Sequence, residues 1–187
     1  MCRIDHTAVA AAVGALAAAY PHLAGEGATH PALAGCEDVA WAAIAGCPGE
    51  VPVVLRGLLD AGAAEEAERV LGSLVMAGPM RIGAAMPAVV PFLLRLVADP
   101  SVPRRNELFE LVLLAAGLCR PTDPDSAWSL AIDGREEDHP ERAECRAAFT
   151  ADADLVSRLL ADTALLTAAK LRDYESAHLL EAAGLQA

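Results

Sequence analysis

The 187-residue chain carries 26 acids against 14 bases, a formal charge of −12, and is 55% hydrophobic with only 4% aromatic residues. Such a charge repels phosphate backbones and anionic lipid, which argues against nucleic acid and membrane surfaces as partners. A mean hydropathy of +0.35 that rests on Ala, Leu and Val favours helices, and the length suits one domain with its own core and no need of a cofactor or staple.

Residues 4 to 20 are predicted to form a helix, capped by Asp5 or Thr7, because Val9, Val13, Leu16 and Tyr20 recur at helical spacing and Pro21 ends the run. The same start, Arg3 followed by Ala8 to Ala19, imitates a signal peptide, but Asp5 and His6 interrupt it and a cytoplasmic location is expected. Residues 21 to 36, rich in Gly and Pro and holding His22 and His30, read as a loop. A short helix is expected from Val39 to Ala45, with Trp41 and Ile44 anchoring this arm on the first of two helix pairs that follow.

The segment Val51 to Asp60 (VPVVLRGLLD) is echoed 39 residues later by Val90 to Asp99 (VPFLLRLVAD), with Val, Pro, Leu, Arg and Asp in register. Each copy leads through a turn into a second apolar stretch, Ala64 to Ala77 and Leu108 to Leu114. A period near forty built from helix pairs marks an α-solenoid. Val89 to Val97 and Leu108 to Leu114 are apolar nearly all round, so the second pair is expected at the centre of the stack, with Leu93, Leu94, Leu111 and Leu114 mostly buried.

Between Asp123 and Glu144 the pattern lapses, and eight acids and two arginines give a net of −6 around Trp128. This reads as a solvated acidic loop, or as an acidic contact surface with Trp128 as its apolar anchor. Beyond it, Pro140 opens a helix through Cys145 to Phe149, and Asp152 is expected to cap the next, where Arg158 to Asp162 (RLLAD) repeats Arg95 to Asp99 (RLVAD). Leu165 to Leu171 and Ala177 to Ala183 read as one broken or two short helices, stopped by Gly184.

The stretch 49–118 resembles HEAT repeats: a first helix with Pro near its start, a leucine stripe and a closing Asp, then a turn and a second helix. Residues 37–118 are similar to a group of bacterial HEAT-like proteins through Glu37 to Trp41, Val51 to Arg56, Val89 to Leu93 and Ala98 to Pro100, and Cys145 to Ala148 matches that group's third repeat. The resemblance implies an all-α, short HEAT-like α-solenoid of antiparallel helix pairs, forming a single domain. Its parts would be an N-terminal arm (1–48), two repeats (49–118), an acidic loop (119–140) and a degenerate third repeat with a C-terminal cap (141–187).

Chemistry is sparse in the sequence. The five cysteines, Cys2, Cys36, Cys47, Cys119 and Cys145, form no CxxC pair and are expected as buried free thiols in a reducing compartment. His6, His22, His30, His139 and His178 form no metal motif, and neither a phosphate-binding loop nor a nucleophile elbow is present, so no cofactor, metal or catalytic residue is assigned. Glu136, Glu137, Asp138 and His139 are more simply a solvated run than a cation site, and Tyr174 with His178 at i, i+4 more simply packing than catalysis. HEAT-like DNA glycosylases need a basic face with aromatics, whereas this chain is acidic with seven aromatics.

Arg56, Arg95 and Arg158 hold corresponding places, and a structural ladder to Asp60, Asp99 and Asp162 is expected, with an anion-binding row as the alternative. Two functional classes remain. One is a non-catalytic scaffold, an immunity or accessory factor, that binds a basic partner protein through Trp128, Glu136, Glu137 and Asp138 or through Arg104 and Arg105. The other is a small-molecule binder or atypical enzyme using a groove between repeats, lined by Met76, Met80, Met86 and Trp128.

Overall fold

The computed structural model describes residues 6–25 and 30–186. Ten α-helices and one two-stranded hairpin make up the α and β structure among these residues, which is therefore mostly helical. The expected cap Asp5 and the thiol of Cys2 lie outside the described residues.

Helix α1 (His6–Ala19) buries Val9, Val13 and Leu16. It packs on α2 (Val51–Gly57) and α3 (Ala64–Val75), which also pack on each other. Gly57 stands where the second copy has Leu96, and the packing explains the difference: a Cβ on Gly57 would lie 2.8 Å from the Ala67 Cβ. Two helices that approach so closely leave no room for a side chain at the crossing.

Helix α3 ends at Val75, two residues earlier than expected, and Met76–Gly78 pairs with Arg81–Ile82 as the antiparallel strands β1 and β2. The turn between them carries Pro79 and Met80.

Helix α4 (Met86–Ala98) begins before its echo does, with Pro87 at its start and Pro91 inside it. It packs on α5 (Arg105–Leu118), α7 (Pro140–Ala151) and α8 (Ala153–Ala161), and Leu93, Leu94, Phe109 and Phe149 are fully buried in the shared core. Helix α4 thus lies at the centre of this group of helices. The apolar girth of α5 is only partly covered: Leu111 is half-buried and Leu114 is 39% exposed, contrary to expectation. Leu114 lies on the flank that faces α9 (Thr163–Ala169) and α10 (Asp173–Ala182) across an open groove.

The arm before α2 holds single 3-10 turns at Pro21–Ala24, Pro31–Leu33 and Trp41–Ala43 in place of the expected loop and short helix. Trp41 is buried as expected and donates its ring N–H to the Cys36 carbonyl at 2.8 Å. Its ring meets Phe92 of α4 with centroids 6.0 Å apart, so the arm reaches past the first helix pair to the second. Asp152 makes no side-chain cap. Gly184, at φ 68°, stops α10 as expected, and Leu185 N–H reaches back to the Leu180 carbonyl at 2.9 Å.

Among the described residues no helix is long and apolar enough to cross a membrane.

Candidate functional site

The expected acidic loop contains a helix, α6 (Ala127–Asp133), opened by Ser126, whose hydroxyl accepts the Ser129 N–H at 3.2 Å. None of its residues is buried, although Trp128, Leu130 and Ile132 are large and apolar. Its two ends are nevertheless held. Arg142, buried in α7, donates to the Thr122 hydroxyl and to the Asp133 carbonyl, each at 2.6 Å. One turn later in α7, Arg146 donates to the Cys119 carbonyl and to the Glu136 carboxylate. Two arginines at i, i+4 therefore clasp both ends of a segment whose middle is turned to solvent.

Trp128 and Ile132, one helical turn apart, share a face of α6 and are 74% and 52% exposed. Ile132 lines a groove of about 970 Å3 together with the hairpin residue Met80, which is itself 71% exposed. Met80 also lines a second groove with Leu114 and Tyr174. The large hydrophobic side chains that are exposed among the described residues thus fall on α6, where Trp128 and Ile132 share a face, and on the lining of the two grooves that Met80 borders. Scattered exposed apolar residues carry no meaning, but a contiguous set does.

The acidic residues expected beside Trp128 divide. Glu136 is turned inward, accepting from Arg146 and from the Thr122 N–H; burial alone would raise its carboxyl, but the Arg146 and Thr122 hydrogen bonds together with the charges of Arg146 and Arg142 hold it below the ordinary value. Glu137 and Asp138 are exposed, Glu137 lying 3.4 Å from Arg135. Asp123 and Asp125 are also exposed at the start of the segment. Arg104 and Arg105 serve the fold: Arg104 meets Glu68 at 2.6 Å, and Arg105 meets Asp162 at 2.7 Å and the Val97 carbonyl at 2.5 Å. Of the expected groove lining, Met86 is fully buried, Met76 is half-buried in β1, and only Met80 faces both grooves.

The arginine ladder takes another form. Arg56 donates to the Leu23 carbonyl at 2.5 Å and pairs with Glu37. Arg95 donates to the Pro91 and Ala34 carbonyls at 2.9 and 3.0 Å, with its guanidinium 4.7 Å from the Phe92 ring centroid. Both tie the arm to its helix pair, and Arg158 is exposed.

The three aspartates share a different task. One oxygen closes the following turn: Asp60 accepts Gly62 N–H at 2.8 Å, Asp99 accepts Ser101 N–H at 2.8 Å, and Asp162 accepts Leu165 N–H at 3.1 Å. The other oxygen meets a distant side chain, His22 at 2.8 Å, His30 at 3.3 Å and Arg105 at 2.7 Å respectively.

Cys36, Cys119 and Cys145 are buried and Cys47 is half-buried, all as free thiols. Burial pushes the Cys47 thiol up to about 11. Cys145, hydrogen-bonded to Cys119 and buried, is held protonated, so none of this sulfur offers an exposed nucleophile. No group of His, Cys, Asp and Glu able to hold a metal occurs among the described residues.

No family model, no curated protein and no solved structure matches the chain.

Proposed function

We propose that the chain is a short HEAT-like array of helix pairs that works as a non-catalytic protein-interaction module, an immunity or accessory factor to a basic partner protein. The repeated array is supported by the consecutive packed pairs α2–α3 and α4–α5 and by the shared task of Asp60, Asp99 and Asp162. The observation that carries the functional reading is α6: a helix with Trp128 and Ile132 in solvent, on a segment clasped at both ends. Leaving such surface exposed forgoes roughly 25 cal/mol per Å2 of burial, which a partner can recover on docking. An aromatic anchor held in place costs little further ordering when it binds. The carboxylates of Asp123, Asp125, Glu137 and Asp138 lie on the same segment, so the complementary partner is basic.

Placing a photo-crosslinking residue at Ile132, with Glu66 on the outer face of α3 as control, tests the reading in cells. A defined basic protein captured at Ile132 and absent at Glu66 is the expected result. Equal capture at both positions overturns it.

A further inference from the structure

The second groove, on the far side of Met80 from α6, has a volume of about 790 Å3, within the range of small-ligand sites. Helix α5 lines it with Glu110, Leu113, Leu114, Gly117 and Leu118, the spacing of one helical face. Helix α10 runs alongside α5 in the same direction. A Cβ on Gly117 would lie 3.5 Å from His178 Nδ1, and three residues further along the chain from each, just past the end of α5 and within α10, Arg120 meets Glu181 at 2.9 Å.

That register gives the groove two unlike ends. Tyr174, one turn before His178, falls at the level of Leu113 and Leu114, while the α9–α10 link with Lys170 and Arg172 falls toward Glu110. The late end is apolar and aromatic, with the Tyr174 and His178 rings edge to face at 5.7 Å. Desolvation, helped by Arg120, lowers the His178 pKa, so the imidazole itself adds no charge there near neutral pH.

The early end is charged. Glu175 already caps α10, accepting the Arg172 N–H at 2.8 Å, and Arg172 donates to the Tyr174 hydroxyl at 2.6 Å. The exposed Lys170 ammonium and the exposed Glu110 carboxylate make no ion pair among the described residues. Lys170 sits in the left-handed region at φ 51°, a conformation that costs a non-glycine residue energy and turns the chain at the groove's edge. One wall thus offers the Lys170 charge, with Arg172 beside it shared with Glu175 at 3.9 Å, and the other wall offers the Glu110 charge, beside an apolar bed.

We propose that this groove binds a free α-amino acid with a large apolar side chain. Its carboxylate meets Lys170 and Arg172, its ammonium meets Glu110, and its side chain lies over Leu114 beside Tyr174 and His178. The assignment is independent of partner docking at α6.

Calorimetric or NMR titration with three probes that share a phenyl ring tests it: L-phenylalanine, 3-phenylpropionate, which lacks the ammonium, and phenethylamine, which lacks the carboxylate. Phenylalanine should bind best, and loss of either charge should weaken binding about tenfold or more. Glu110→Gln should bring phenylalanine down to the level of 3-phenylpropionate without changing the latter, and Lys170→Met should do the same relative to phenethylamine. Gly117→Val, which intrudes on the floor, should abolish binding of all three while circular dichroism shows the fold intact. Equal affinities for the three probes, no binding of phenylalanine up to its solubility, or additive losses in the matched variant and probe pairs would overturn the proposal.

Discussion

Leu94 and Leu114 are the same residue type, in the helix pair at the centre of the packing, with opposite surroundings, and truncating each to alanine separates core from groove. Leu→Ala removes three carbons, worth about 0.8 kcal/mol apiece on transfer from water, or about 2.4 kcal/mol when burial is complete. Leu94 is fully buried on α4, the helix that packs on α5, α7 and α8. Its neighbours belong to different helices and cannot all move in together, so a residual cavity adds to the loss, for a total of about 3 to 4 kcal/mol. Leu114 is 39% exposed over an open groove; only part of its transfer term is at stake and no cavity forms, so the loss stays below about 1.5 kcal/mol. Urea denaturation of both variants, with slopes compared to confirm two-state behaviour, reads the difference. Equal losses, or a loss at Leu94 below about 0.5 kcal/mol, would refute the assignment of α4 to the centre and of the α5 flank to an open groove.

Gly57→Ala should destabilise by about 1 to 3 kcal/mol through overpacking against Ala67, although alanine is the better helix former; unchanged thermal stability would contradict the close α2–α3 approach. Arg142→Met leaves the Thr122 hydroxyl and the Asp133 carbonyl without their donor and should cost about 1 to 3 kcal/mol. Its signature is faster amide exchange across α6 than elsewhere, and uniform acceleration would show that the clasp is not local. Stability should fall in acid for a definite reason. Hydrogen bonds from His22, Ser101 and Arg105 are the main cause that holds the carboxyls of Asp60, Asp99 and Asp162, in turn, below the ordinary range. Groups depressed in the folded state contribute stability above their unfolded value of about 3.9 and lose it as pH falls through the lower folded value. Asp162→Asn should flatten part of that decline in chemical denaturation, and an unaltered profile would remove Asp162 from the account.

How much of this was legible in the sequence depended on whether a residue's partner lay nearby in the chain. The stripes of α1 and α3 and the stop at Gly184 follow from local spacing, and they appear within a residue or two of expectation. The register of Asp60, Asp99 and Asp162 was readable too, but their partners were not. His22 and His30 come from an arm without periodicity, and Arg105 was read as a contact residue because its distant carboxylate, Asp162, cannot be inferred from spacing. The hairpin of Met76 to Ile82 is too short to show alternation, although Gly78-Pro79 is a turn signal.

The open flank of α5 shows the limit of an apolar pattern. A helix apolar on every side can be enclosed by neighbours or can leave a groove, and composition does not distinguish them. Trp128 stands out in the sequence of the acidic segment, but the helix that carries it does not, because none of its seven residues is buried to create a stripe. The missed signal was Ser126 three residues before Ser129, a cap ahead of a short apolar run.

The central claim is that α6 is displayed as a docking element, and the most direct test is the dissociation rate of the partner identified by crosslinking, measured over a salt series with both proteins free of crosslinks. Trp128→Ala should raise that rate about thirtyfold, the equivalent of roughly 2 kcal/mol for an aromatic anchor. Charge reversal at Glu137 and Asp138 should slow association and flatten its salt dependence while leaving dissociation nearly unchanged. Rates that match wild type in both variants, with α6 still folded, would contradict the account.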